Sequence, residues 1–263
     1  MKRVTGVVAL SLAITGLAGV ARAEDAPNPI PTVVDNQWRG SITPYLWLLN
    51  VSGTVARDGN TLGSVNIDTS SILSNLNFAA MAEGDVHRGN WGLWADVVYG
   101  QFSRQASHLS VGPATLQTTT SLTTGIYDIA ATYTLHSSPN AYVDGLLGAR
   151  ILTQDTTVNL SLGGPLPDGV NRSSSSTITN AIVGVKGRVR ISDSEWFVPF
   201  YLDVGGGGAQ TNVTSQAMVG IGKAYSWGDV TLVFKNVYYQ LNQNKITSDL
   251  DLYGAALGVT FRF

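Results

Sequence analysis

The sequence predicts an all-β chain folded as a transmembrane, antiparallel, up-and-down β-barrel of about ten strands, with eight or twelve as the alternative counts. Three observations predict it. Apolar and polar residues alternate with a period of two in ten stretches after residue 38, the connections between them alternate between short and long, and the last stretch ends on Phe263. Composition agrees: 13% of the 263 residues are charged, against about 25% in average soluble domains. With 44% hydrophobic residues the chain is not intrinsically disordered. With no cysteine it is neither a disulfide scaffold nor a thiolate-ligated metal protein. A pI near 5.9 and the lack of a basic run speak against a nucleic-acid partner.

The elements follow in chain order. Residues 1–23 read as a cleavable signal peptide: Lys2 and Arg3 open it, Gly6 to Val20 is apolar, and Ala21-Arg22-Ala23 offers small residues at the cleavage positions. The apolar stretch is shorter than the roughly 20 residues a spanning helix needs. Cleavage would remove three bases and no acid, taking the formal net charge from −2 to −5. Residues 24–37, with Pro27, Pro29 and Pro31, read as a flexible periplasmic lead-in. Residues 38–263 form one unit, with no linker that would divide it.

Within that unit the candidate strands are Trp38–Leu49, Phe78–Val86, Trp91–Ser103, Thr124–Leu135, Ala141–Gln154, Asn180–Ile191, Trp196–Val204, Gln216–Tyr225, Val230–Tyr239 and Leu252–Phe263. The clearest is Asn180–Ile191, where Ala181, Val183, Val185, Val189 and Ile191 alternate with Asn180, Lys186, Arg188 and Arg190. A helix would scatter those three bases; a strand aligns them. Short connections fall near 87–90, 136–140, 192–195 and 226–229, and longer ones near 52–76, 104–118, 159–176, 205–212 and 241–248. Short periplasmic turns opposite long external loops are the pattern of an outer-membrane barrel. A secreted β-sandwich also alternates. Aromatics near strand ends, Trp38, Trp91, Trp196 and Trp227 at one end and Tyr45, Trp47, Tyr99, Phe102 and Tyr239 nearer the other, favour membrane girdles instead.

The last strand carries Tyr253, Ala255, Leu257, Val259, Phe261 and Phe263 at alternate positions. A final strand of this kind resembles the signal that the barrel-assembly machinery reads in bacterial outer-membrane proteins. On that resemblance Tyr253, Phe261 and Phe263 are the expected assembly signal. The opening run Trp38–Trp47 (WRGSITPYLW), the run Ile72–Met81, Gly89–Asp96, Asp203–Gly206 and Gln216–Gly220 together resemble a family of uncharacterised proteobacterial outer-membrane β-barrel proteins. The likeness covers most of the chain except the stretches around 104–118 and 159–176. It implies the barrel fold and an outer-membrane location, with outer-membrane lipids as surroundings, and it implies no activity. Where the family shows an aromatic–Arg pair this chain has Phe234-Lys235, so the lumen cation there would be a point charge rather than a planar fork.

If apolar faces meet lipid, the opposite faces line the interior. The expected lumen-lining charge network is then Arg39, Glu83, Asp85, Asp96, Asp128, Asp144, Arg150, Lys186, Arg188, Arg190, Asp203, Lys235 and Arg262. Ten strands lie near the closed end of the barrel range, because open channels are usual at about 16–18 strands. The expected function is therefore a structural outer-membrane barrel or a narrow small-solute pore, without cofactor. The alternative is an outer-rim enzyme acting on lipid A or peptides, for which His108-Leu109-Ser110 is the one faint motif. His87 and His136 are expected in short periplasmic turns. No metal-ligand spacing is evident, and the strings Gly205–Gly208 and Gly220–Lys223 do not have phosphate-loop spacing. The segment 52–76 is expected to hold a short helix capped by Asp68 or Ser70, serving as a plug or as a surface cap.

Overall fold

A computed structural model describes residues 28–33, 36–57, 60–111, 114–163, 170–207, 211–243 and 246–263, with the side chains of 105–118, 160–170 and 243 outside that description. The expected signal peptide, residues 24–27 of the lead-in, and the side chains of His108 and Ser110 therefore lie outside the described residues. The elements are β1 (Trp38–Arg57), β2 (Asn60–Ile67), α1 (Thr69–Ser74), β3 (Leu76–Arg88), β4 (Trp91–Val111), β5 (Ala114–Ser137), β6 (Ala141–Gly163), β7 (Val170–Arg190), β8 (Trp196–Gly206), β9 (Thr211–Tyr225), β10 (Gly228–Gln243) and β11 (Ile246–Arg262). Every pairing is antiparallel; β1 pairs with β3, each later strand pairs with the next in the chain, and β1 closes the ring against β11. β2 pairs only with Val51–Arg57 of β1, so the closed barrel has ten strands and β2 is an appended hairpin arm.

The register fixes the barrel's shape. Following cross-strand partners once around the ring from Trp38 through Arg88, Trp91, Tyr133, Gly145, Val185, Leu202, Ala217, Asn236 and Tyr253 leads back to β1 at Asn50, twelve residues along. That stagger on ten strands tilts them by about 40° to the axis. Both described ends of the barrel wall, Trp38 and Phe263, lie at one end together with the four short connections. We call this the turn end and its opposite the loop end. Gly89, at φ +59, supplies the positive φ that a tight hairpin turn needs at its first central residue.

The outer wall is apolar. Leu46, Leu93, Ile129, Leu147, Val183, Leu202, Val219, Phe234 and Leu257 are all exposed there, as a barrel immersed in lipid requires. At the turn end Trp38, Trp91, Trp196 and Trp227 stand in a girdle, with Trp91 edge-on to Tyr133 at 4.8 Å and Trp227 stacked on Tyr225 at 5.5 Å. Four aromatics expected in the opposite girdle are on the inward face instead: Trp47 and Tyr239 are buried, the Tyr45 hydroxyl donates to Asp96, and Phe102 lies over Gly100 on the Asp96 face of β4. Their strand parity explains this, since Tyr45 and Trp47 share the face of Arg39, and Tyr239 that of Lys235.

At the loop end the expected connections 104–118 and 159–176 are mostly strand, because β4, β5, β6 and β7 pair continuously through them. Threonine and serine runs such as Thr118–Thr120 and Ser173–Ser176 alternate no hydrophobic signal, yet they hold a ladder well. β5 has 24 residues. At about 3.3 Å per residue and a 40° tilt it rises about 60 Å, more than twice the roughly 25 Å apolar band of a membrane barrel. The outer halves of β4–β7 therefore stand clear of the apolar belt as a four-stranded sheet. Within segment 52–76, β2 and α1 stay outside the lumen: β2 is exposed throughout and α1 has no buried residue. Asp68 caps α1 by accepting from the Ser71 amide at 2.7 Å, and that bond holds its carboxyl below the usual carboxylate range.

Residues 28–33 sit in the turn-end mouth. Ile30 is buried, and the Pro29 carbonyl accepts from Arg188 at 3.0 Å. Behind them lies a cavity of about 600 Å³ within the turn-end half of the barrel, reaching up to Lys235, Val233 and Met218.

Close strand packing depends on small residues. A Cβ at Gly148 would stand 2.0 Å from the Ile129 carbonyl and 2.6 Å from the Ala130 Cα, so backbone would have to move. Gly148→Ala is expected to cost about 1–3 kcal/mol, as overpacking does. Urea titration of the refolded barrel, read by the gel-mobility difference between unboiled and boiled samples, checks this.

Candidate functional site: the charged interior

The thirteen ionisable residues expected inside come from every barrel strand except β9, and the structure sorts them into clusters stacked along the axis. The most buried cluster lies at mid-height. Register places Glu83, Asp96, Asp128, Arg150 and Asn180 side by side on β3, β4, β5, β6 and β7. Three carboxylates in adjacent cross-strand positions repel one another. Cations within the row and from the far wall offset this.

Arg150, fully buried, is the centre. Its Nε and Nη2 donate to the two oxygens of Asp128, both at 2.9 Å. On its other side Nη1 and Nη2 donate to Asp203 at 3.1 and 2.6 Å. Gln216 Oε1 accepts from Nη2 at 3.0 Å and Thr214 Oγ1 from Nη1 at 3.3 Å. Asp203 is also held by the Tyr201 hydroxyl at 2.6 Å and the Gln216 amide at 3.1 Å. The planar guanidinium fork suits two carboxylates on opposite sides, which an ammonium group could not match. From β10, Lys235 reaches across to Asp96 at 2.5 Å and lies 3.1 Å from the Tyr45 hydroxyl. Its ammonium group also faces the rings of Tyr45 and Trp47, at 5.1 and 5.3 Å.

Towards the loop end this layer is covered by apolar side chains: Trp47, Ile126, Leu152, Ile178, Val237 and Tyr239 form one buried cluster. Beneath it Trp94, Ala130, Leu146, Ile182 and Tyr201 form a second. The interior is thus partly apolar, a correction to the expectation that apolar residues face only lipid. A strand buried on both faces carries apolar residues at both parities.

Two ion-pair clusters lie nearer the turn end. Lys186 contacts Asp85, lies 3.9 Å from Glu83 and faces the Trp94 ring. Asp229, fully buried, bridges Arg188 at 3.0 Å and Arg262 at 2.6 Å. Arg39 donates to the Tyr142 hydroxyl and to the Gly89 carbonyl, the latter at 2.8 Å. Tyr142 and Thr134 are hydrogen-bonded, and Thr134 donates to Asp144 at 2.9 Å.

Twelve of the expected residues join these clusters; Arg190 does not. It donates to the Ser194 carbonyl at 2.8 Å and so closes the β7–β8 turn. Two further interior residues, His87 and Asp229, fall in segments expected to be turns, but β3 runs to Arg88 and β10 starts at Gly228. His87 is buried, against the expectation of a periplasmic turn, while His136 is exposed near the end of β5. Parity is the signal that finds both: His87 shares the face of Glu83 and Asp85, and Asp229 that of Lys235.

Arg150→Met leaves Asp128 and Asp203 buried without their cation and is expected to cost about 3–5 kcal/mol. Adding Asp128→Asn and Asp203→Asn to that variant is expected to recover part of the loss. Urea midpoints of the three refolded proteins check both, and a single variant as stable as the parent would show that the cluster is not structural.

No protein-family model matches the chain, and neither does any curated protein sequence. Its structure is similar to solved β-barrels. The outer membrane protease OmpT from Escherichia coli is 12% identical, with 87% of this chain and 97% of that chain covered at a TM-score of 0.53. The translocator domain of the autotransporter NalP from Neisseria meningitidis is 13% identical, with 87% and 90% covered at 0.39. Ail, the attachment invasion locus protein of Yersinia pestis, is 13% identical, with 86% and 99% covered at 0.31. At these identities the likeness is one of fold: the chain is a closed antiparallel ten-strand barrel of the outer-membrane type.

Proposed function

We propose that this barrel is a closed, non-conducting anchor in a Gram-negative outer membrane, with the turn end in the periplasm and the tall β4–β7 sheet outside the cell. The carrying observation is the plane of Arg150, Asp128, Asp203, Lys235 and Asp96 beneath the packed side chains of Trp47, Ile126, Leu152, Ile178, Val237 and Tyr239. Ten strands enclose a lumen that side chains fill, and here they fill it at mid-height with groups that hold each other across the barrel. Residues 1–23 are then a cleaved export signal and 24–37 a periplasmic segment. Recognition of Phe263 with Phe261 and Tyr253 during assembly is supported by the exposure of Phe263 at the turn end, where its backbone pairs with Gly40.

Catalysis of the protease neighbour's kind has no support from the described side chains of the loop end. Among the described residues the histidine closest to carboxylates is His87, which lies at the opposite end of the barrel.

In planar bilayers the refolded protein is expected to give no discrete conductance steps across a wide range of KCl concentration. Deleting residues 28–33 is expected to leave it closed, because the seal lies above the mouth. Stable steps from the parent protein would replace the anchor by a pore. Deleting Phe263 is expected to lower the amount of folded barrel in outer membranes severalfold while leaving detergent refolding of the purified chain unchanged. Gel mobility of unboiled samples reads both.

A further inference from the structure

The structure assigns a second role to the turn-end interior: Asp85, His87 and Asp144 form a site for one divalent transition-metal ion of the zinc type. His87 Nε2 lies 2.8 Å from Asp85 Oδ1 and 3.5 Å from Asp144 Oδ2. One ligand atom from each residue falls within 4.8 Å of the other two. One imidazole with two carboxylates is a donor set that suits zinc and its first-row neighbours.

The way the carboxylates are held carries the inference. Each has its outer oxygen occupied by a donor: Lys186 contacts Asp85 Oδ2, and Thr134 donates to Asp144 Oδ1 at 2.9 Å. Each turns its inner oxygen to the same imidazole nitrogen. A single N–H can serve one of them, and Asp144 Oδ2 is left buried without a hydrogen bond. An unpaired buried carboxylate oxygen is costly, and a cation between the three atoms would satisfy it. Lys186 and Thr134 then act as the outer partners that orient metal-bound carboxylates.

A Cβ on Gly92 would come within 2.5 Å of His87 Cε1 and Nε2 and of Thr132 Oγ1, so the imidazole keeps this position only because residue 92 is glycine. Tetrahedral zinc with bonds of about 2.0–2.2 Å separates its donors by about 3.3–3.6 Å, so the His87–Asp144 pair already fits, His87 and Asp85 need to part by about half an ångström or slightly more, and the two carboxylate oxygens need to settle within their 4.8 Å limit. Asp85 and Lys186 line the 600 Å³ cavity, which gives the ion a path from the turn end and supplies water for the fourth position. Spacing alone hides the site, since the third ligand comes from β6, three strands away from β3 around the wall.

The test uses the refolded full chain, stripped with EDTA and titrated with Zn²⁺ against a chromophoric chelator. One zinc per folded chain is expected, with an X-ray absorption spectrum of nitrogen and oxygen ligands that includes one imidazole. His87→Gln and Asp144→Asn are expected to weaken binding by at least about tenfold, and Thr134→Val, which frees the outer oxygen of Asp144, by about 10- to 100-fold. Asp229→Asn, in the neighbouring ion-pair cluster, is expected to leave zinc affinity unchanged. The mobility of unboiled samples confirms that each variant is folded. Failure of the folded parent to bind zinc stoichiometrically, or equal binding by folded Asp144→Asn, would overturn the site. Neither outcome depends on whether the barrel conducts.

Discussion

A guanidinium held away from water must be neutralised by its neighbours, and much of this barrel's interior follows from that requirement. Arg150 stands on β6 with Asp128 beside it on β5 and Asp203 reaching in from β8. Removing such a charge from water costs more than one good contact returns, so the cation draws in two carboxylates together with Thr214 and Gln216, and Asp203 in turn accepts from Tyr201 and the Gln216 backbone N–H. The result ties β5, β6, β8 and β9 together through the lumen rather than along the wall. Lys235 and Asp96 do the same for β10 and β4. Sheet hydrogen bonds hold each strand to its two neighbours. These interior bonds brace strands that are not neighbours, which keeps a ring of ten from flattening.

The balance of charges inside is local rather than global. The carboxylate row Glu83, Asp96 and Asp128 would be repulsive if it were an isolated surface, and it is tolerated because Lys186, Lys235 and Arg150 each meet part of it. At the turn end Asp229 has two arginines, whereas Asp144 has a histidine and a threonine and retains an unmatched oxygen. That asymmetry separates a cluster complete within itself from one with room for an added cation.

The barrel also divides along its axis by what surrounds it. Among the described side chains, the belt of exposed leucine, valine and isoleucine ends well before β4–β7 do. Beyond it the sheet is held by ladder hydrogen bonds with hydroxyl side chains such as Thr119, Thr120 and Ser173–Ser176, which neither lipid nor a packed core requires. The mouth at the other end is occupied by residues 28–33, so the cavity lies between that segment and the mid-height seal.

Period-two alternation by itself determined the fold class, ten strands close to their places, and the face on which almost every interior charge lies. Parity is a local property, and twelve of the thirteen expected residues follow it into the interior clusters. Polar Thr and Ser stretches hide the outer strand halves, because no apolar face marks a strand above the lipid. Inward apolar residues such as Trp94, Leu146 and Ile182 escape the pattern, since alternation cannot tell a dry lumen from lipid. Which charge meets which was decided only by closure and by the twelve-residue stagger. Lys235 and Asp96 lie 139 residues apart, and His87 reaches Asp144 across two intervening strands. Such partners depend on the diameter and shear of the closed ring, a property of all ten strands together.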